Sequence, residues 1–259
     1  MNDKLERTMP GDADFARKIR AQAVMEKPLT RRFYKSVEIA AVDGNWHLTL
    51  DGGVVKAPSK NTLELPSEAL AEAVAAEWKA QEEHINPASM PFTKLANTAL
   101  DRVAPDRVRI TDEIVSYANS DLLCYRAEQP VELVLRQTKM WDPLLEEFRS
   151  KHGAGFTCLA GVMHADQPQE TLDAMRRAVE QLNPYQITGL HNAMTLTGSA
   201  IMALALTNSP SRAEELWAAA HVDEDWQIEQ WGEDEEAVAH RALREAEFGS
   251  TAKFISFLG

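Results

Sequence analysis

"VEIAAVDGNWHLTLDGGVVKAP", residues 37 to 58, offers short runs of alternating apolar and polar residues, cut twice by Asp-Gly, at Asp43-Gly44 and Asp51-Gly52. Asp-Gly pairs tolerate the positive φ that tight hairpin connections demand, so the stretch predicts a meander of short antiparallel strands. Because side chains alternate across a strand, Trp46, Leu48 and Leu50 share one face, expected to be core, and His47 and Thr49 share the other, expected to be wet.

Downstream the period changes from two to that of a helix. In "LPSEALAEAVAAEWKAQEEHINP" (65 to 87), Pro66-Ser67 opens a helix, Leu70, Val74 and Trp78 recur every fourth residue, and Pro87 closes the segment. "PFTKLANTALDRVAP" (91 to 105) predicts a second helix, with Leu95, Ala99 and Val103 on one stripe, and "DRVRITDEIVSYANS" (106 to 120) a third. Beyond about Asp121 the chain reads as mostly helical: residues 130 to 153, 168 to 183, a central apolar helix over 187 to 206, and 211 to 248. Two apolar runs, "DLLCYRAE" and "GFTCLAGVMHA", read as short strands. Trp78 and Trp141 lie on helical apolar stripes and are expected in the core.

The expected architecture is therefore α+β: a small N-terminal antiparallel sheet with covering helices, followed by a mostly α-helical bundle. The organisation we expect is an N-terminal arm over residues 1–30, a β-rich domain with helices over 31–105, and a helical C-terminal domain over 106–259.

Several function classes are disfavoured. Forty acidic against 27 basic residues give a formal net charge of −13, a field that repels phosphate backbones and anionic lipid, so neither a nucleic acid nor a membrane is an expected partner. The apolar segment 187 to 206 carries His191, Asn192 and four hydroxyl side chains, and reads as a buried helix, with no membrane insertion. Cys124 and Cys158 lack CxxC spacing and read as buried free thiols. The N-terminus has no apolar signal-peptide core, and its early acids oppose a transit peptide, so a cytoplasmic location is expected.

Catalytic and metal motifs are equally sparse. No glycine cluster has nucleotide-binding spacing, and no cofactor is expected. Ser199 follows a glycine but sits within an apolar helix, where its hydroxyl is expected to bond back to the helix or admit a neighbour. The seven histidines form no HExxH and no pair at helical spacing, so no metal site is expected; His191 reads as a hydrogen-bonded core histidine. Asp223 and Asp225 have the spacing of a calcium loop, but Ile228 stands where that loop needs glycine.

What remains is a run of acids interleaved with indoles. Asp223, Glu224, Asp225, Glu229, Glu233, Asp234, Glu235 and Glu236 alternate with Trp217, Trp226 and Trp231. A solvated helix face explains the acids by themselves. The tryptophans, which bury large areas and anchor interfaces, tilt the reading toward a partner surface, with at least one of the three in the core.

"RFYKSVEI", "LDGGVVKAP", "LELPSEALAEAVAAEW" and "INPASMPFTKLANTALDRV" follow one another in an order and spacing that resembles the assembly chaperones for the alpha subunit of the F-type ATP synthase, the ATP-twelve family. "SDLLCYRAEQP", "QTKMWDPLL", "GSAIMALAL" and "QIEQWGEDEE" extend the resemblance to about Glu236. It implies a non-catalytic, bacterial, cytoplasmic relative of mitochondrial matrix proteins, which binds the newly made alpha subunit and shields its beta-facing surface, working as a monomer. The implied partner-binding residues are Trp226, Glu229, Trp231, Gly232, Glu235 and Glu236. Either Glu235 or Glu236 matches the family's functionally important acid. The chain departs from the family at Gly53 and Ala57, where an arginine and a threonine are common, and in the late placing of His240. A hydrolase built from acids and a histidine of the C-terminal helices, or a general holdase, are the competing readings; dispersed methionines disfavour the second.

Overall fold

The computed structural model describes residues 29–161 and 165–259. The arm expected over residues 1–30 therefore lies, but for its last two residues, outside the described ones. One compact unit comprises Tyr34–Ala80 and Pro87–Gly259. A second unit is represented by residues 29–33 and Gln81–Asn86, which pair locally: the Ile85 amide donates to the Thr30 carbonyl at 2.8 Å and the Arg32 amide to that of Glu83 at 2.9 Å.

The meander forms as expected. Strand β1 (Val37–Val42) pairs antiparallel with β2 (Asn45–Leu50), placing Ile39 opposite Leu48. Both Asp-Gly turns adopt positive φ at each residue, 50° and 85° at Asp43-Gly44 and 48° and 81° at Asp51-Gly52. Asp51 also accepts hydrogen bonds from the Lys35 and Ser36 amides, which lower its pKa. Two short strands share the far edge of β2: β3 (Gly53–Val54) pairs at Leu50 and Thr49, and β4 (Glu64–Leu65) at His47 and Trp46. The sheet is too narrow for a clean division into inner and outer faces. Leu48 is fully buried, but Trp46 and Leu50 are only half-buried, as are His47 and Thr49.

Helix α1 (Glu68–Lys79) is capped by Ser67, whose hydroxyl accepts from the Leu70 amide, and it buries Leu70 and Val74 against the sheet. Trp78, expected in the core, is half-buried, with its ring against Tyr34 at 5.6 Å. Helix α2 (Pro91–Thr98) begins with proline at its first position and has no side-chain cap of its own. Glu77 of α1 supplies one from outside: its carboxylate accepts from the Phe92 amide at 2.7 Å, the Thr93 amide at 2.8 Å and the Thr93 hydroxyl at 2.7 Å. A buried carboxylate thus satisfies orphan donors of a helix start, and burial raises its pKa. A π-type turn, Ala99–Val103, continues α2 toward Pro105, and Asp101 on it accepts from the Ser59 amide at 3.0 Å.

Helices α3 (Arg107–Ala118), α4 (Val131–His152) and α5 (Gln169–Glu180) appear where the periodicity placed them, α4 ending at Gly153 with φ 72°. Of the two expected strands only a two-residue parallel pair forms, β5 (Tyr125–Arg126) beside β6 (Leu159–Ala160); Leu122–Cys124 of the first run is a 3-10 turn, and residues 162–164 of the second lie outside the described ones.

The central apolar segment needs correction: it is two helices. Helix α6 (Pro184–Thr197) ends at Gly198, φ 73°, and α7 (Ala200–Asn208) starts with Ser199 as its cap, the hydroxyl accepting from the Met202 amide at 3.0 Å. Ser199 is therefore a helix-capping residue at a break rather than a residue within a helix. Hydrophobic periodicity cannot show such a break when the helix that follows it is buried all round, as Ala200–Thr207 is. The side chain of Asp121, 80 residues away, completes the junction by accepting from the Ile201 amide at 3.1 Å and from Leu123 at 3.1 Å.

Helices α8 (Ala213–Ala220), α9 (Val222–Trp231) and α10 (Glu235–Ser256) complete the fold. Trp141 and Trp217 are core, as expected for Trp141 and for one of the three C-terminal indoles; the Trp141 indole donates to the Ala219 carbonyl at 2.7 Å. Gly189 of α6 lets α10 approach so closely that an added Cβ would lie 2.5 Å from Ile255 Cγ1. The sheet is tied to the bundle by the Tyr185 hydroxyl donating to the Glu64 carbonyl, and α2 to the end of α10 by the Phe92 and Phe257 rings packed edge to face at 5.4 Å.

Two stability predictions follow from these contacts. Gly189→Ala should destabilise the protein by about 1–3 kcal/mol in urea denaturation, since Ile255 is buried and overpacking has little room to relax; an unchanged midpoint would contradict the close approach. Burial pushes the Asp121 carboxyl from 3.8 up to about 6. The folded state then holds that proton more tightly than the unfolded one, so the contribution is most favourable below pH 3.8 and is lost as pH rises to about 6, by roughly 3 kcal/mol. Asp121→Asn should remove that part of the pH dependence between pH 4 and 6; a variant with the wild-type slope would show that Asp121 does not titrate there.

Candidate functional site

The acid-rich segment forms the corner between α9 and α10. The turn is made by Gly232, whose φ of 87° and ψ of 174° suit glycine and let the chain reverse after the Trp231 turn. Asp234 caps α10, its carboxylate accepting from the Ala237 amide at 2.8 Å, and Glu235 and Glu236 occupy the first turn, where the helix dipole favours negative charge.

Several of these acids are engaged within the fold. Asp223 accepts from the Gln137 side chain at 2.7 Å, and Asp225 pairs with Arg241 at 2.5 Å across the corner. Glu229 makes a two-pronged ion pair with Arg136 of α4, both contacts at 2.6 Å, which holds its carboxyl below the usual range. The same guanidinium lies over the Trp226 ring, 4.9 Å from its centre. Trp226 and Glu229 thus belong to a bracket that fixes α9 on α4.

The remaining sequence-predicted residues are brought together on the outside. Trp231 is 79% exposed, and Gly232, Glu235 and Glu236 are exposed around it. Glu233, Glu235 and Glu236 form no hydrogen bond or ion pair among the described residues. At 79% exposure the Trp231 indole packs little against the fold, and its apolar ring with a polar N–H is left available to a partner.

The exposed surface continues along α10. Residues 235–247 include none that is buried, and Val238 and Leu243 point outward, Leu243 72% exposed. At 1.5 Å per residue this free half of the helix is about 18 Å long. It runs into a cleft of about 810 Å³ between α2, α3, α6 and α10. One wall is the face of α2 and its π-type turn, with Pro91, Lys94, Leu95, Thr98 and Arg102 at spacings of three and four; the others bring Ile110, Glu113, His191 and Leu243.

The sequence did not reveal this cleft, because its walls are contributed by four separate elements. The spacing of Pro91, Lys94, Thr98 and Arg102 was the available signal. His191, expected in the core, instead faces the cleft, its ring nitrogen 3.2 Å from Glu113. The carboxylates with raised pKa, Glu77 and Asp121, both cap helix starts and neither lines the cleft. No group of three or more metal-ligating side chains occurs among the described residues, and none of the described helices is long and apolar enough to cross a membrane.

Residues 31–149 match the family model described as ATP12 chaperone protein. The mitochondrial protein atp12 of Schizosaccharomyces pombe is 26% identical over 230 residues, spanning 84% of this chain and 79% of the relative. A candidate chaperone from Agrobacterium tumefaciens, solved by crystallography, is 44% identical, with a TM-score of 0.85 over 93% of this chain and 91% of its own. The crystal structure of Atp12 from Paracoccus denitrificans is 38% identical, with a TM-score of 0.84 over 89% of this chain and 99% of its own.

The geometry separates the three C-terminal indoles by role. Trp217→Ala should cost about 3–5 kcal/mol as a core truncation, whereas Trp231→Ala should change stability by no more than about 0.5 kcal/mol. Urea denaturation of both variants checks this; a Trp231 variant that unfolds early would return that indole to the core.

Proposed function

Since the chain belongs to the ATP12 chaperone family, we propose that it is the assembly chaperone of the F-type ATP synthase alpha subunit, binding the free subunit and shielding its beta-facing surface until assembly. One observation carries the reading: Trp231 stands 79% exposed at the α9–α10 corner, amid carboxylates without internal partners. An unassembled subunit presents an apolar interface with polar groups at its edge. A rigid aromatic anchor with a charged rim complements such a surface, the indole giving affinity and the carboxylates giving orientation and salt-sensitive release.

The free half of α10 extends this surface from the corner to the cleft, so Val238 and Leu243 are the next contacts. Trp226 and Glu229 act less directly, by holding α9 through Arg136. The chaperone works as a monomer, since shielding one subunit requires no symmetry.

Capture of separately expressed alpha and beta subunits tests the proposal. The expected result is selective capture of alpha, and its displacement by excess beta. Trp231→Ala should weaken capture about thirtyfold, the equivalent of a 2 kcal/mol anchor, and the double change Glu235→Ala, Glu236→Ala should weaken it less. Capture of neither subunit by the folded protein, or of beta alone, would overturn the reading.

A further inference from the structure

The two cysteines, 34 positions apart in the chain, meet in the fold. Strands β5 and β6 pair in parallel with Tyr125 opposite Leu159 and Arg126 opposite Ala160, so Cys124 and Cys158 stand side by side, one residue before each strand. The thiols are hydrogen-bonded to each other. The Cys158 sulfur also lies 3.7 Å from the Leu123 carbonyl oxygen, and Arg126 reaches it at 4.0 Å. Cys124 is buried and Cys158 is exposed, against the expectation that both are buried. The expectation failed because "FTCLAG" is apolar in sequence but lies on a two-residue edge strand.

We propose that Cys158 and Cys124 form a peroxide-reactive thiol pair, in which Cys158 attacks the oxidant and Cys124 resolves it as an intramolecular disulfide. Accessibility divides the roles: only Cys158 can be approached from solvent, and only Cys124 lies behind it. The spacing allows closure, because adjacent strands run about 4.8 Å apart, within the Cα separation that a disulfide spans. The strands are already fixed by their pairing and by the Gly161 amide donating to the Arg126 carbonyl at 2.9 Å, so side-chain rotation suffices.

The surroundings favour ionisation of the exposed partner. The Cys124 hydrogen bond and the Arg126 guanidinium pull the Cys158 thiol down to about 6, against the opposing charge of Asp142, which itself pairs with Arg126 at 2.6 Å. Cys124 is shifted the other way, first by its hydrogen bond to Cys158, then by burial and the nearby Asp121. These surroundings favour the thiolate at the accessible sulfur and the thiol at the inner one.

The chemistry balances with hydrogen peroxide as oxidant. The Cys158 thiolate attacks one peroxide oxygen, the O–O bond breaks, and the departing hydroxide takes a proton to become water, leaving a sulfenic acid. That step removes the charge on Cys158 that held Cys124 protonated. The Cys124 sulfur then attacks the Cys158 sulfur; the S–S bond forms, the S–O bond breaks, and hydroxide leaves with the Cys124 proton as a second water. Peroxide gains two electrons and the thiol pair loses two.

The test treats the full chain with hydrogen peroxide, quenches it with catalase, denatures it, alkylates remaining thiols with N-ethylmaleimide and maps the peptides. The expected result is simultaneous loss of both thiols, a Cys124–Cys158 peptide within a monomeric chain, and reversal by dithiothreitol. Cys124→Ala should give a sulfenic acid on Cys158 that dimedone traps, and Cys158→Ser should slow the oxidation of Cys124 at least about tenfold, since the remaining sulfur is buried and protonated. The proposal is overturned if both thiols survive peroxide that fully oxidises free glutathione. It is equally overturned if wild-type Cys158 is oxidised while Cys124 stays alkylatable, or if disulfides link only separate chains. Should Cys124→Ala fail to fold, the wild-type peptide map decides alone.

Discussion

Asp121 is a charged group with no access to water, and it sits where three segments converge: the end of α3, the turn into β5, and the break between α6 and α7. An isolated carboxylate in such a place would be prohibitively expensive. It is tolerated because the helix start of α7 offers amide donors, Ile201 among them, and the Leu123 amide donates as well. The backbone reinforces the junction, the Leu122 amide donating to the Gly198 carbonyl at 3.2 Å. Helix α7, buried along Ala200–Thr207, depends on this arrangement for its orientation, and the core that packs around it inherits that dependence.

The same device recurs at Glu77, which caps α2 from α1. At α2 the buried acid stands in for a missing local cap, at α7 it adds to the Ser199 cap, and in both the two partners are distant enough in sequence that the contact fixes tertiary geometry as well as a helix end. That geometry has a functional consequence on the outer side of α2. With its start pinned by Glu77 and its continuation pinned through Asp101, the helix presents Lys94, Thr98 and Arg102 as one wall of the cleft. Helix α2 is therefore structural on one face and exposed to a large cavity on the other.

At the other end of the cleft the fold leaves a long helix half uncovered. Helix α10 is buried from Phe248 onward, where it packs on α6 through Gly189, and bare before it. The bare half is nevertheless held, by Arg241 to Asp225 and by Arg244 to the Leu196 carbonyl at 2.5 Å. A projection already held in place suits the proposed role of covering another surface, because ordering costs are met before the partner arrives.

Much of this was legible in the sequence. The Asp-Gly turns, the switch from period two to helical period at Pro66, and the stripes of Leu70, Val74 and Leu95, Ala99, Val103 specified the strands, most helices and much of the core, because those signals are local and each residue carries its own preference. The acid-and-indole corner was also visible as composition. The roles of its members were not. Trp217, Trp226 and Trp231 look alike in sequence, yet one is core, one lies beneath Arg136 and one faces water, according to what α4 and α10 place beside each. The break at Gly198-Ser199, the cleft around His191 and the meeting of Cys124 with Cys158 were likewise decided only by tertiary structure. Periodicity reports which face of an element is buried; which distant residue reaches it depends on chain paths that no local preference encodes.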